Sequence, residues 1–134
     1  MSKIKIDHPD RDVNFITGVF SDAVIANDLL FVSGQASVDF KTSQFVLGTI
    51  EEETARTLDN IKAIVEAAGL TMDDVVKCTA HLKDWNDFDR YNSVYQQYFP
   101  NIKPARTTVQ SVLGKDIKVE IDCIASFSSK SLKL

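Results

Sequence analysis

Two strand-like runs in the segment NIKPARTTVQSVLGKDIKVEIDCIASF, residues 101–127, each carry a charge that a buried strand would not need. Arg106 stands at the head of the first and Glu120 in the middle of the second. A guanidinium offers a planar fork of donors matched to a carboxylate, and Pro104 just before it stiffens its approach. An acid on the same sheet face can position and deprotonate a water, provided its pKa lets it cycle between charged and neutral forms. Each residue also fits a plainer role. Arg106 could be a surface strand charge, and Glu120 could pair with Lys118 or Arg106 in an ion pair worth little when exposed.

Other chemistries find less support. Cys78 and Cys123 lie in strand-like runs without CxxC or Cys/His ligand spacing and are read as buried free thiols. His8 is read as part of a flexible lead-in, and His81 as a strand residue in an oligomer interior. No His/Cys/Asp ligand cluster and no phosphate-cradling glycine loop stands out. A formal charge of −4 without a Lys/Arg run removes the attraction on which non-specific nucleic-acid binding depends. The longest apolar runs fall far short of the ~20 residues of a membrane span, and MSKIKIDHPDRD lacks the apolar core of a signal peptide. The expectation is a cytoplasmic protein with no membrane partner.

The elements that must position Arg106 and Glu120 follow from pattern. At 134 residues, 44% of them hydrophobic, the chain is sized for one domain with a core that forms without disulfides, so residues 1–134 are read as a single domain. Residues 22–40 show apolar runs on both sides of Asn27-Asp28, a pair that tolerates the left-handed backbone of a hairpin turn. A further short strand is expected through SQFVLG, after the turn at Lys41-Thr42-Ser43. Thr49 and Glu52 have capping-box spacing, three acids fill the first turn and Gly69 supplies a stop, so a helix lies between them. Its apolar stripe is Leu58, Ile61, Ile64, Val65 and Ala68. In DDVVKCTAHLKD, Val76, Cys78, Ala80 and Leu82 alternate with Lys77, Thr79, His81 and Lys83, which predicts a strand. A second helix is predicted from Asn86 or Asp87 to Pro100, with Phe88, Tyr91, Val94, Tyr95, Tyr98 and Phe99 on one face. The last two strands turn at Leu113-Gly114-Lys115-Asp116.

Strands before, between and after two helices predict an α+β domain, with both helices on one face of a mixed β-sheet. In the final strand Ile117, Val119, Ile121, Cys123, Ala125 and Phe127 share the parity that packs under the helices. Glu120 shares the other, with Lys118, Asp122, Ile124 and Ser126. That second face has nothing in the chain to cover it, and further copies of the chain would cover it most simply.

Five stretches, GVFSDAV (18–24), LLFVSGQ (29–35), residues 57–95, KPARTTV (103–109) and VEIDCIA (119–125), resemble in order the successive signatures of the Rid/YjgF reactive-intermediate deaminases. The resemblance covers nearly the whole chain. It implies a chorismate-mutase-like fold, a homotrimer whose sheets form a central β-barrel, and small-molecule sites in clefts between subunits. The implied reaction is hydrolysis of short-lived 2-imino acids such as 2-iminopropanoate and 2-iminobutanoate, or their enamine tautomers, to 2-oxo acids and ammonia. Such imines are by-products of pyridoxal-phosphate enzymes, and their deamination needs no cofactor. Two alternatives stay open: a non-catalytic trimer that binds a 2-oxo or imino acid, and a deaminase of a larger enamine acid in catabolism.

Carried over by resemblance, Arg106 grips the substrate carboxylate and Glu120 activates the water. Ser33 and Gly34 form a wall of the site, and Asn92 in YNSVY lines the cleft. Phe20 occupies the GxYS position where many active relatives have Tyr, so a phenolic hydroxyl is absent. Thr108 stands where many relatives have Cys, a mild change if the main-chain carbonyl is what matters. The stretch 95–106 is about three residues shorter than in some relatives, which alters a loop that sets cleft volume.

Overall fold

The computed structural model describes residues 2–12 and 18–127. Its strands are β1 (Ile4–Ile6), β2 (Ala23–Ala26), β3 (Leu29–Gln35), β4 (Val38–Asp39), β5 (Gln44–Phe45), β6 (Val75–Leu82), β7 (Ala105–Gln110) and β8 (Val119–Ser126). Two helices, α1 (Ile50–Ala67) and α2 (Phe88–Tyr95), complete the described elements together with three 3-10 turns. Six strands form one sheet in the order β1-β2-β3-β8-β6-β7, and β4 and β5 form a separate two-residue ribbon. Every pairing in the large sheet is antiparallel except β6 with β7, which the crossover through α2 makes parallel. Among the described residues no helix is long and apolar enough to cross a membrane.

Local chemistry accounts for the elements. Asn27 adopts φ 54°, the left-handed conformation that joins β2 to β3. The capping box of α1 is formed, with Glu52 N–H donating to the Thr49 hydroxyl and Thr49 N–H donating to the Glu52 carboxylate. Gly69 follows the helix at φ 88°. Leu58, Ile61, Ile64 and Val65 are buried where α1 crosses β3 and β8. In β8, buried Val119, Ile121, Cys123 and Ala125 alternate with half-buried Glu120, Asp122, Ile124 and Ser126, as the parity predicts. The α+β architecture with both helices on one face is thus observed.

Three expectations need correction. A β-bulge between Val75 and Lys77 shifts the register of β6, so Val75 is buried while Val76 is 45% exposed. The second helix is not continuous to Pro100: 3-10 turns at Trp85–Asp87 and Gln96–Tyr98 flank α2. Its aromatic ladder survives the breaks, with Tyr91, Tyr95 and Phe99 buried and successive centroids 5.6 and 4.9 Å apart. Finally, the turn near Gly114 does not join neighbours in the sheet, because β6 lies between β7 and β8.

One buried carboxylate ties the layers together. Glu53 in α1 is fully buried and accepts hydrogen bonds from Lys118 N–H at 2.9 Å, Lys118 Nζ at 3.1 Å and Gly48 N–H at 3.1 Å. Its charge is therefore matched, which is what permits its burial. The bonds fix the start of β8, two residues before Glu120, to the first turn of α1.

Candidate active site

Sheet register decides where Arg106 and Glu120 go. Arg106 is level with Cys78 of β6, which is level with Cys123 of β8, and both cysteines are buried under the helices. Arg106 therefore rises on the helix-covered face, at the sheet edge. Glu120 is level with His81, on the opposite face. His81 itself hydrogen-bonds Ser111 at 2.8 Å. Two strand spacings and three residues along β7 separate the α-carbons of Arg106 and Glu120, roughly 14 Å, and their side chains diverge from there. The reading that put acid and arginine on one face is thereby corrected: parity holds within a strand, but the parallel β6–β7 register sets the phase between strands.

The arginine half is an aromatic box. The Arg106 guanidinium carbon stands 5.7, 5.3 and 4.7 Å from the ring centroids of Phe88, Tyr91 and Tyr95. Its Nη1 donates to Asn92 Oδ1 at 2.8 Å and, more weakly, to the Tyr91 hydroxyl at 3.4 Å. No carboxylate among the described residues forms an ion pair with Arg106. A guanidinium oriented on one side, with donors left on the other and no counter-charge, is prepared for a planar anion. Thr108, two residues along β7, has a buried hydroxyl with no hydrogen-bond partner among the described residues. Burial raises the pKa of both Cys78 and Cys123, which keeps these neighbouring thiols neutral.

The glutamate half faces a cavity of about 450 Å³. The Glu120 carboxylate makes no hydrogen bond or ion pair with any described residue and lies over Gly34, where an added Cβ would come within 2.8 Å of Oε2. A side chain at this position would displace the carboxylate end of Glu120. Phe20, 54% exposed, and Lys115 also line this cavity. Ser33 does not line it: its hydroxyl donates to the Ser21 carbonyl and its N–H to the Asp22 carbonyl, so it fastens the Phe20 segment to β3. The sequence-derived residues thus fall into two groups, Arg106, Asn92 and Thr108 on one face, Glu120, Gly34 and Phe20 around the other, with Ser33 as a brace.

Sequence reasoning missed the cavity's far wall. His8 is 5% exposed rather than part of a loose lead-in, and its ring stacks on Phe40 at 3.9 Å. Asn60 Nδ2 donates to the carbonyls of Ala36 and Val38, which leaves Oδ1 as acceptor for His8 Nε2 at 3.1 Å. His8 Nδ1 then accepts from Asp10 N–H at 3.0 Å, a pattern that fits the neutral ring. Arg11 binds Asp22 through two bonds of 2.7 and 2.6 Å, and His8 N–H donates to the same carboxylate. Burial pushes the Asp22 carboxyl up, but Arg11 and the His8 N–H outweigh it and hold its pKa below the ordinary value. The only signal for this network in the sequence is the charge-rich run HPDR, which is equally at home in a solvated turn.

Comparisons with known proteins place the sequence and the fold. The family model described as Endoribonuclease L-PSP matches residues 14–127. A RutC family protein of Pyrococcus horikoshii is 49% identical over 109 residues, 81% of this chain and 86% of its own. Reactive Intermediate Deaminase A, chloroplastic, of Arabidopsis thaliana is 40% identical over 110 residues, 81% of this chain and 59% of its own. The crystal structure of a Rid family protein from Yersinia pestis superposes with a TM-score of 0.86 at 35% identity, covering 93% of this chain and 99% of the other. A sheet with Arg106 boxed on one face and Glu120 over Gly34 on the other, matched along nearly its whole length in sequence and in space, belongs to a chain of the Rid/YjgF family, which includes reactive intermediate deaminases.

Proposed function

We propose that the protein is a cytoplasmic hydrolase of 2-imino acids and their enamine tautomers, releasing 2-oxo acids and ammonia, with each site assembled between two copies of the chain in a homotrimer. The observation that carries this reading is the Arg106 guanidinium, oriented by Asn92 and three aromatic rings yet without a carboxylate partner. The naming of the Arabidopsis relative as a reactive intermediate deaminase supports the same chemistry.

Arg106 of one copy grips the substrate carboxylate, and Glu120 of a neighbour faces the imine carbon. As water oxygen bonds to that carbon, Glu120 takes a proton from the water and the C=N π pair moves to nitrogen, giving a carbinolamine. Glu120 returns the proton to nitrogen. Collapse then breaks the C–N bond as the hydroxyl proton passes to the departing nitrogen, so that ammonia leaves and the 2-oxo group forms.

The test generates 2-iminobutanoate in situ with an amino-acid dehydratase and follows loss of the semicarbazide-trapped imine. Arg106→Ala should lower kcat/KM by roughly thirtyfold to a thousandfold, since a charge-assisted two-point contact is worth about 2 to 4 kcal/mol. Arg106→Lys should recover only part, and Glu120→Gln should depress kcat more than it raises KM. Equal activity in wild type and all three variants, with assembly intact, refutes the reading.

A further inference from the structure

The cavity beside Glu120 is far larger than a three- or four-carbon acid requires. At about 450 Å³ it falls in the range of sites that enclose drug-sized ligands. Its wall is also the wrong kind for a short polar substrate. Phe20, Val38, Phe40, Phe45 and Ile117 line it beside Glu120. These apolar groups come from four separate places: the segment before β2, the β4–β5 ribbon, the loop within that ribbon, and the approach to β8. Of the charges on the wall, Arg11 and Asp22 are bonded to each other and Arg11 also covers the Phe40 ring at 4.8 Å, while Lys115 and Glu120 stand on the wall beside the apolar groups. The network of His8, Asn60, Asp22 and Arg11 holds Phe40 from behind, so this wall is braced.

We propose that this cavity receives the side chain of the substrate and selects 2-imino acids with a large apolar group, aromatic or branched, over those derived from alanine or serine. The inference rests on the deaminase reading above and adds the substrate class. The imine carbon sits at the mouth, against Glu120, and the side chain extends inward past Phe20 toward Phe40 and Phe45. The class of reaction preceding this one is then two-electron oxidation of hydrophobic amino acids at the Cα–N bond, which releases a 2-imino acid, and the product of its hydrolysis is the corresponding apolar 2-oxo acid. Phe20 contributes apolar surface to the same wall, where a phenolic hydroxyl would have added a polar group needing a partner.

The experiment generates imines from phenylalanine, leucine and alanine with an amino-acid oxidase, catalase removing the peroxide, and compares kcat/KM. The phenylalanine- and leucine-derived imines should exceed the alanine-derived one by at least about tenfold, the discrimination an apolar pocket gives for added methylenes. Phe45→Ala trims a wall residue that is 43% exposed and outside the main core, so folding should persist. It should lower the ratio of phenylalanine- to alanine-derived kcat/KM by at least about tenfold, and Phe45→Leu should restore much of that ratio. Equal ratios in wild type and Phe45→Ala, or a wild-type preference for the alanine-derived imine, overturns the side-chain assignment while leaving the deaminase reading standing. If no imine is hydrolysed, the deaminase reading fails, and calorimetry with phenylpyruvate and pyruvate decides the rest. Tighter phenylpyruvate binding that Phe45→Ala weakens supports the cavity's selectivity; equal binding of the two refutes it.

Discussion

Arg106→Ala and Glu120→Gln, each inactive alone, should restore activity when their subunits are mixed. The two side chains leave opposite faces of one sheet with α-carbons roughly 14 Å apart, so on the proposed mechanism a complete site draws Arg106 from one copy and Glu120 from another. At equal proportions with random exchange, half the arginine positions and half the glutamate positions are intact. The chance that one site receives both intact partners is about one quarter, and this holds for any closed assembly in which each site spans two copies. The assay unfolds and refolds the two variants together, then compares imine hydrolysis with the separately refolded variants and with wild type. Recovery near 25% of wild type, rising and falling as the mixing ratio passes through equality, is the expected result. Activity of the mixture no greater than the average of the two variants, in hybrids shown to form by native mass spectrometry, would mean that both residues serve the same copy or that one of them is not needed.

Gly34→Ala puts a Cβ 2.8 Å from Glu120 Oε2 and forces the carboxylate to move, so kcat should fall by roughly a hundredfold, the scale of a 1 Å misplacement, with thermal stability little changed; unaltered kcat would show that Glu120 has no fixed catalytic position. Burial holds the His8 pKa below its ordinary 6.5, so the unfolded chain binds the proton first as pH falls. The stability that the neutral ring contributes is full above pH 6.5 and declines below it, down to the folded-state pKa. The urea midpoint should therefore be lower at pH 5.5 than at pH 7.5, and His8→Phe, which keeps a ring to stack on Phe40, should flatten that difference; identical slopes in the two proteins would refute the assignment to His8.

Much of the frame was legible because it rests on local chemistry. The Thr49–Glu52 box, the Asn27 turn and the alternation in β8 each depend on residues close in sequence, and each is found where expected. The β6 bulge was hidden because Val75 and Val76 are both apolar, and only pairing with β8 shows which one faces in. Arg106 and Glu120 were identifiable as chemistry, but their relative placement was not. It depends on β7 pairing with β6 instead of β8, a long-range choice that no window of sequence records. His8 was misread for the same reason: its partners Asn60, Asp22 and Phe40 lie 52, 14 and 32 positions away.

The strand that carries Glu120 is the last element in the described chain and one of the two central strands of the sheet, flanked by β3 and β6. During synthesis the edges of β3 and β6 that flank β8 therefore stay open until β8 itself leaves the ribosome. Those edges, with Leu30 and Val32 on one side and Cys78, Ala80 and Leu82 on the other, are the templates on which unfinished chains aggregate. Closure of this gap joins residues 95 positions apart at Leu30 and Ala125, a contact that loop-closure entropy makes slow to form. A chain that stops short of β8 leaves both edges unpaired, and insertion of β8 finishes the sheet and delivers the glutamate in one event.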